Sequence, residues 1–315
     1  MQISSVCILG GSGFVGRAIA DQLSPLGIRT RVVTRSGPRA KPLTVLPTVE
    51  VKVADVHDPA ALNACFENMD AVVNLVGILH EDGPQTFRRC HVELPRKVAE
   101  ACRASGVRHL IHMSALGASK DGPSDYLRSK AEGEAALREA AGVVPVTVFR
   151  PSVIFGESDR FLNLFAELVR CFPVIPLAGA RARFQPIWVE DVARCFAGSL
   201  GNARAHGETY ELCGPKAYTL AELVDFVART LGRRPRVVGL PGGLARLQAM
   251  VLERLPGKVM TRDNLLSMTR DNVCACDFPA LFGFRPSPLE AVVPGYLTHG
   301  TARGRYARYR HYAGR

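Results

Sequence analysis

Short apolar runs recur through the first half of the chain, near residues 4–9, 29–34, 49–53, 71–75, 109–113 and 145–149, and the segments between them place apolar residues at helical spacing. Apolar runs of this length predict strands, and the intervening 3.6-residue period predicts helices. The alternation predicts an α/β fold, a Rossmann-type doubly wound parallel sheet over residues 1–150. After Arg150-Pro151 the pattern loosens into loops holding Pro173, Pro176 and Pro186, a helix near 159–171 and a strand near 208–213. These predict a smaller C-terminal substrate or partner domain from residues 151–183 and 214–300. A segment at about 184–213 is expected to return to the first domain, and residues 301–315 form a basic tail.

The first run, Val6-Cys7-Ile8-Leu9, leads directly into Gly10-Gly11-Ser12-Gly13-Phe14-Val15-Gly16, after which Val15, Ala18, Ile19 and Leu23 continue at helical spacing. A strand, a glycine turn and a helix start in this order cradle a dinucleotide. Gly10 serves the tight turn, Gly13 the approach of a pyrophosphate and Gly16 the packing of helix on strand, and the phosphates meet free N–H groups at the positive helix end. The second strand ends in Thr34-Arg35, where an NAD-selective site offers an acid to the ribose hydroxyls. Arg35, with Arg39 and Lys41 after it, can pair with a 2′-phosphate, which favours NADP over NAD; the alternative is a solvated basic loop. Asp55, next to Val56, is placed either to accept from the adenine amine or to cap a helix near Asp58-Pro59. Leu75, Val76 and Gly77 follow Asn74 at the end of the fourth strand, beneath the cofactor.

The fifth strand runs into Ser114, and twelve residues later comes Tyr126-Leu127-Arg128-Ser129-Lys130. Tyr126 and Lys130 stand four apart on a predicted helix and therefore share a face. An adjacent ammonium is expected to lower the phenol's pKa from about 10. Ser114 would orient a carbonyl or hydroxyl, Tyr126 would exchange the proton and Lys130 would hold the nicotinamide ribose. The three form the candidate catalytic set.

The formal net charge of +11 points to anionic partners such as nucleotides, acidic lipid head groups or acidic proteins. Nine dispersed cysteines suit reduced, buried thiols, and Cys274-Ala275-Cys276, with no second pair or nearby histidine, is a poor zinc site. No metal is expected. His109 and His112 are expected in core or edge roles. No signal-peptide pattern precedes the first strand, and no apolar run approaches the ~20 residues that span a bilayer.

The glycine turn, Ser114, Tyr126 with Lys130, Arg150-Pro151 before Gly156, Val189-Glu190-Asp191-Val192-Ala193 and Gly214-Pro215 before Tyr218-Thr219-Leu220 resemble the landmarks of the short-chain dehydrogenase/reductase superfamily, in its extended or atypical branch. Longer strings are similar to one group within it. Tyr126 through Glu134, Ile154 through Asn163, Gln185 through Val192 and Thr261-Arg262-Asp263 resemble the nucleotide-binding accessory subunits of respiratory complex I, alpha subcomplex subunit nine, and their bacterial relatives. This resemblance implies a tightly held, structural NADPH, a cofactor contact from Pro151, a protein-complex partner in the quinone-handling region at the membrane, and a link to ubiquinone biosynthesis. An active NADP-dependent oxidoreductase on a small lipophilic or quinone-like substrate stands as the alternative. Sugar-nucleotide epimerases of the superfamily carry a Tyr-Gly pair soon after the serine and a longer interval to the tyrosine; this chain departs from both.

Between Leu240 and Pro256, the residues Leu244, Leu247, Val251 and Leu255 share a helical face beside Arg246 and Arg254. The face either meets the core or lies on a bilayer or partner, its arginines on lipid phosphates. The tail from Arg303 to Arg315 interleaves five arginines with Tyr306, Tyr309 and Tyr312. It is a solvated tail or a contact for membrane or protein, both favoured over nucleic acid because no RNA-binding module accompanies it. The expected location is cytoplasmic, or peripheral on the inner face of the cytoplasmic membrane.

Overall fold

The computed structural model describes residues 3–254 and 258–298. Leu255 and the basic tail, both singled out above, lie outside the described residues. Through the first half the order is β1 (Ser5–Leu9), α1 (Phe14–Leu23), β2 (Arg29–Thr34), α2 (Gly37–Ala40), β3 (Val49–Val53), α3 (Pro59–Phe66), β4 (Ala71–Asn74), α4 (Leu94–Ala104), β5 (His109–Met113), α5 (Asp125–Ala141) and β6 (Val146–Pro151). Next come β7 (Ile154–Phe155), α6 (Leu162–Cys171), β8 (Val174–Leu177), β9 (Arg183–Phe184), β10 (Ile187–Trp188), α7 (Val189–Ser199) and β11 (Thr209–Leu212). The chain ends with β12 (Tyr218–Thr219), α8 (Leu220–Thr230), β13 (Arg236–Gly239), α9 (Gly242–Leu252), α10 (Arg262–Ser267) and α11 (Leu289–Leu297).

Two compact units result. The first, unit 1, takes in the chain up to Pro151, Val189–Leu212 and Pro279–Phe284; the second, unit 2, takes in Ser152–Trp188, Cys213–Phe278 and the chain from Arg285. In unit 1 seven strands pair in the order β11-β6-β5-β4-β1-β2-β3, every pair parallel. The predicted doubly wound sheet is therefore the observed one. Strands β1 and β4 are buried along their whole length, which is why they read as unbroken apolar runs rather than alternating ones. Cys7, Leu9, Val72 and Leu110 of the sheet pack with Phe66 of α3, Val98 of α4 and Leu137 of α5 into one core. The strand order reverses between β1 and β4, the position where doubly wound sheets open a ligand crevice at their carboxyl ends.

Unit 2 has its own core, in which Phe165 and Val169 of α6, Leu223 and Val227 of α8 and Val293 of α11 meet Ile175, Leu177 and Phe184. Three two-stranded ribbons, β10-β7, β12-β9 and β13-β8, frame it. Cys213 and Cys274 are joined by a disulfide across 61 residues of sequence, which corrects the expectation of uniformly reduced cysteines. Beside it, the Gln185 side-chain amide donates to the Gly214 carbonyl, and its oxygen accepts from the Cys274 N–H. The same polar knot thus brings the two cysteines to one place. Among the described residues no helix is long and apolar enough to cross a membrane.

Candidate functional site

The loop from Gly10 to Gly16 sits at the crevice between β1 and β4. Gly10 adopts φ 76°, a conformation that costs other L-residues energy, and its N–H donates to the Val33 carbonyl of β2. A Cβ on Gly16 would stand 2.5 Å from Gly11 Cα, so only glycine lets α1 pack this close to the turn. Gly13 occupies the cap position of α1 without a capping side chain, and the first turn holds no acid. The positive end of α1, through Phe14 and Val15, thus faces the turn with no carboxylate of its own to neutralise it. Ser12 and Thr34 hydroxyls meet at 2.7 Å, tying the turn to the end of β2, and the Arg17 guanidinium donates to the Ser12 carbonyl at 2.9 Å.

Beyond β2 and β3 lies an open cleft of about 450 Å³ lined by Arg35, Val53, Ala54, Asp55, His57, Gln85 and Arg89. Asp55 accepts from the His57 N–H, while Asp58 accepts from the Ala60 N–H and caps α3. Of the two roles weighed for Asp55, the helix cap therefore belongs to Asp58, and Asp55 stays exposed at the cleft beside buried Val56. Burial, with Arg89 close by, lowers the pKa of His57. The cleft thus offers two guanidinium groups, one carboxylate and a histidine held toward its neutral form. Arg89 was not foreseen from the sequence, because it lies in the long connection after β4.

At the end of β4 the Asn74 side-chain oxygen accepts from the Val76 N–H, which sets the course of Leu75, Val76 and Gly77. The next amide, Ile78 N–H, donates to His91 Nε2 at 3.0 Å, and His91 Nδ1 lies 2.9 Å from Ser129 Oγ, whose own hydroxyl donates to the Tyr126 carbonyl. This sequence of bonds assigns the His91 proton to Nδ1. Burial and the Lys130 charge hold His91 down to about 2, so the ring is neutral. It stacks on Phe87 and meets the Tyr126 ring edge-on with centroids 5.6 Å apart. His91 stands in a π-helical turn, Arg88–Glu93, ahead of α4. The turn rests so closely on α5 that a Cβ on Gly133 would come 1.7 Å from the His91 carbonyl oxygen. One signal for His91 was in the sequence: it extends the apolar row Leu94, Val98, Cys102, and a polar residue on a core-facing row needs a partner.

Tyr126 and Lys130 project from the first two turns of α5, which Ser124 starts by accepting from the Leu127 N–H. Glu134, a turn further on, accepts two bonds from Arg150 and locks α5 to β6. Lys130 Nζ donates to the Met113 carbonyl at 3.3 Å, lies 6.0 Å from the Tyr126 ring centroid and would stand 3.0 Å from a Cβ on Gly77. Burial lowers the lysine to about 8, and burial raises Tyr126 to about 12. The expected downward shift of the phenol is therefore reversed in the protein alone, because desolvation by burial dominates. Ser114, next to Met113, gives its N–H to the Phe149 carbonyl, while its buried Oγ has no hydrogen-bond partner among the described residues. Pro151 accepts from the Leu116 N–H and closes the same end of the sheet. Strand ends and α5 thus gather Gly77, Ser114, Tyr126, Lys130 and Pro151, and the turn and cleft residues lie along the ends of β1, β2 and β3.

A parallel sheet that reverses its order at a glycine turn, with an uncapped helix end above it, defines a Rossmann-type nucleotide-binding protein. The chain belongs to the NAD dependent epimerase/dehydratase family, whose profile matches residues 6–213. It is 31% identical over 304 residues to the rat (Rattus norvegicus) mitochondrial NADH dehydrogenase [ubiquinone] 1 alpha subcomplex subunit 9, covering 90% of this chain and 77% of the relative. It is also 31% identical over 242 residues to the ceramide reductase of Caulobacter vibrioides, covering 75% of this chain and 73% of that one. Among solved structures, the NADPH complex of an NADPH-dependent quinone oxidoreductase from Escherichia coli superposes with a TM-score of 0.75 at 19% identity, over 93% of this chain and 99% of the other. That likeness shows the shared fold.

Proposed function

We propose that the protein holds NADP(H) in unit 1 and reduces a small lipophilic carbonyl or quinone-like substrate. The observation that carries this reading is the buried Ser114 hydroxyl, without a hydrogen-bond partner among the described residues, beside Lys130 and the helix turn that presents Tyr126. A buried hydroxyl without a partner costs about 1–3 kcal/mol, a cost that a bound carbonyl oxygen would remove. The residues fit the dinucleotide: the Gly10–Gly16 turn and the uncapped end of α1 would hold the pyrophosphate, Lys130 the nicotinamide ribose, and Leu75, Val76, Gly77 and Pro151 would border the nicotinamide. Arg35 and Arg89 in the cleft would pair with a 2′-phosphate, which supports NADP over NAD. When bound, NADPH supplies a hydride.

Tyr126, raised to about 12, keeps its proton at neutral pH and is suited to donate it to the carbonyl oxygen. Ser114 Oγ–H donates to the same oxygen and orients it. As the proton leaves, the Lys130 ammonium stabilises the phenolate left on Tyr126. The similarity to a protein named as a ceramide reductase supports a lipophilic substrate.

A second reading is favoured by the complex I subunit, which matches 90% of this chain. There the nucleotide is a structural cofactor of a protein that supports a membrane respiratory or ubiquinone-biosynthesis assembly, on the inner face of the cytoplasmic membrane. One experiment separates the two. Freshly purified protein is denatured and the released nucleotide identified; exchange of added NADPH and its oxidation by short-chain quinones and aldehydes are then followed. NADP(H) that exchanges and is consumed supports the reductase. NADP(H) that neither exchanges nor is consumed supports the structural cofactor, and release of NAD(H) alone overturns the assignment of Arg35.

A further inference from the structure

Helix α9 turns its apolar residues outward. Ala245 and Ala249 are its buried positions, while Leu244, Leu247 and Val251, at i, i+3 and i+7, are each about half exposed at 52%, 54% and 52%, with Met250 beside them. The core-facing alternative weighed for this face is therefore not the one observed. The orientation is fixed, because Gln248 on the inner side accepts from the Ala178 N–H and donates to the Pro176 carbonyl of β8. A helix apolar on both sides is normally covered on both. Four large apolar side chains in a row on an outward face mark a contact surface rather than scatter.

The charge around this face says what covers it. From Arg233 to Arg262 the sequence holds seven cations, among them Arg246 on α9 and Arg254 just past its end, and a single carboxylate, Glu253. That carboxylate is engaged by Arg262 at 2.9 Å. The strand that feeds α9 continues the pattern: Arg236 pairs in register with Val174 on the outer side of the β8-β13 ribbon, where Val174 and Val238 are exposed. At the start of that ribbon, Arg233, Arg234 and exposed Phe172 line a hollow of about 340 Å³. A second copy of this chain, docked symmetrically, would set the same cations against each other. An anionic lipid surface instead supplies phosphates for the arginines and an acyl boundary for the leucines.

We propose that α9 is an interfacial helix that docks unit 2 on anionic phospholipid bilayers. The proposal does not depend on whether the nucleotide is turned over. The test is co-sedimentation of the full chain with phosphatidylcholine vesicles, with and without phosphatidylglycerol, at low and high salt. Binding is expected only with phosphatidylglycerol and is expected to fall with salt. Leu247→Glu should weaken it about tenfold. Arg246→Gln and Arg254→Gln should each weaken it about fivefold, and Arg246→Lys should retain it. Each variant is checked for retained nucleotide, so that a misfolded protein is not scored, and the two arginine variants remain informative if Leu247→Glu fails. Equal sedimentation with neutral vesicles, anionic binding indifferent to the α9 variants, or no sedimentation together with self-association that Leu247→Glu abolishes would each overturn the proposal.

Discussion

The two units depart from ordinary packing in opposite directions. Unit 1 buries polar groups, among them Asn74, His91, His109, His112, Ser114 and Lys130, whereas unit 2 exposes apolar ones along α9. Their charges differ as well. Unit 1 is near neutral, with twenty lysines and arginines against nineteen aspartates and glutamates, and the rest of the chain carries the other twenty cations against ten carboxylates. Burying a polar group and exposing an apolar face both cost free energy, so each persists where a partner offsets it. The polar interior of unit 1 suits a small ligand that enters and satisfies single atoms. The apolar, cationic exterior of unit 2 suits an extended anionic surface.

The largest effect expected from disturbing the unit 1 interior comes from its tightest backbone approach. Gly133→Ala puts a methyl group into the His91 carbonyl, 1.7 Å from where the Cβ must go, and neither α5 nor the π-helical turn can yield cheaply. A loss of about 3 kcal/mol or more is expected, seen as a thermal midpoint lower by roughly 10 °C. A midpoint within a degree or two of wild type would mean that His91 is not held by this contact. Next in size is Tyr126→Phe, which removes the proton and leaves the edge-on ring contacts with His91 and Phe87. Consumption of NADPH should drop by about 10²-fold with nucleotide content unchanged. Unchanged consumption would show that the proton comes from another group and would overturn the role given to Tyr126.

A smaller change is expected at the mouth of the cleft. Arg35→Ser removes one of two guanidinium groups there, and a charge-assisted hydrogen bond of about 1.5–3 kcal/mol corresponds to roughly 10- to 100-fold weaker NADPH binding with NADH binding little altered. Titration of both nucleotides against variant and wild type reads this directly. If both affinities fall together, Arg35 supports the cleft without reading the 2′-phosphate. Arg89→Ser, made in parallel, tests whether the second guanidinium shares that role.

Much of unit 1 was legible because its signals are local. The apolar runs mark strands buried on both faces, the glycine turn follows β1 without interruption, and the Tyr126–Lys130 spacing survives in α5. What was not legible depends on contacts between distant residues or on which way an element faces. His91 reaches Ile78 and Ser129 only once a π-helical turn places it between them. Cys213 and Cys274 meet across 61 residues. Asp55 and Asp58 are equally good caps by type, and only the bond to Ala60 N–H separates them. The periodicity of α9 gave a helix with an apolar stripe but not the direction of the stripe, because alanines on the opposite side supply enough apolar surface for the inner contact. The direction of the phenol's shift was not legible for a related reason: sequence spacing gives proximity to a charge, while burial is a property of the fold.

The smallest effect separates buried groups that await a ligand from those that belong to the architecture. His109 lies inside β5 with Nε2 2.8 Å from the Thr147 hydroxyl and its ring 4.6 Å from that of His206, and burial holds it at about 4 against an ordinary 6.5. The native ring therefore stays neutral while the unfolded chain takes up a proton below pH 6.5. Its contribution to stability is fully present above that pH and is lost as pH falls from 6.5 toward 4. Asp70 does not confuse this window: hydrogen bonds from Ser4, Arg108 and Ser5 hold it well below the usual carboxylate range, so it protonates only in stronger acid. Urea midpoints at pH 7 and pH 5.5 should show the His109→Gln variant losing about 1 kcal/mol less than wild type over that interval. Equal losses would mean that His109 charges within the native sheet, and the polar interior of unit 1 would then be more open to water than its burial implies.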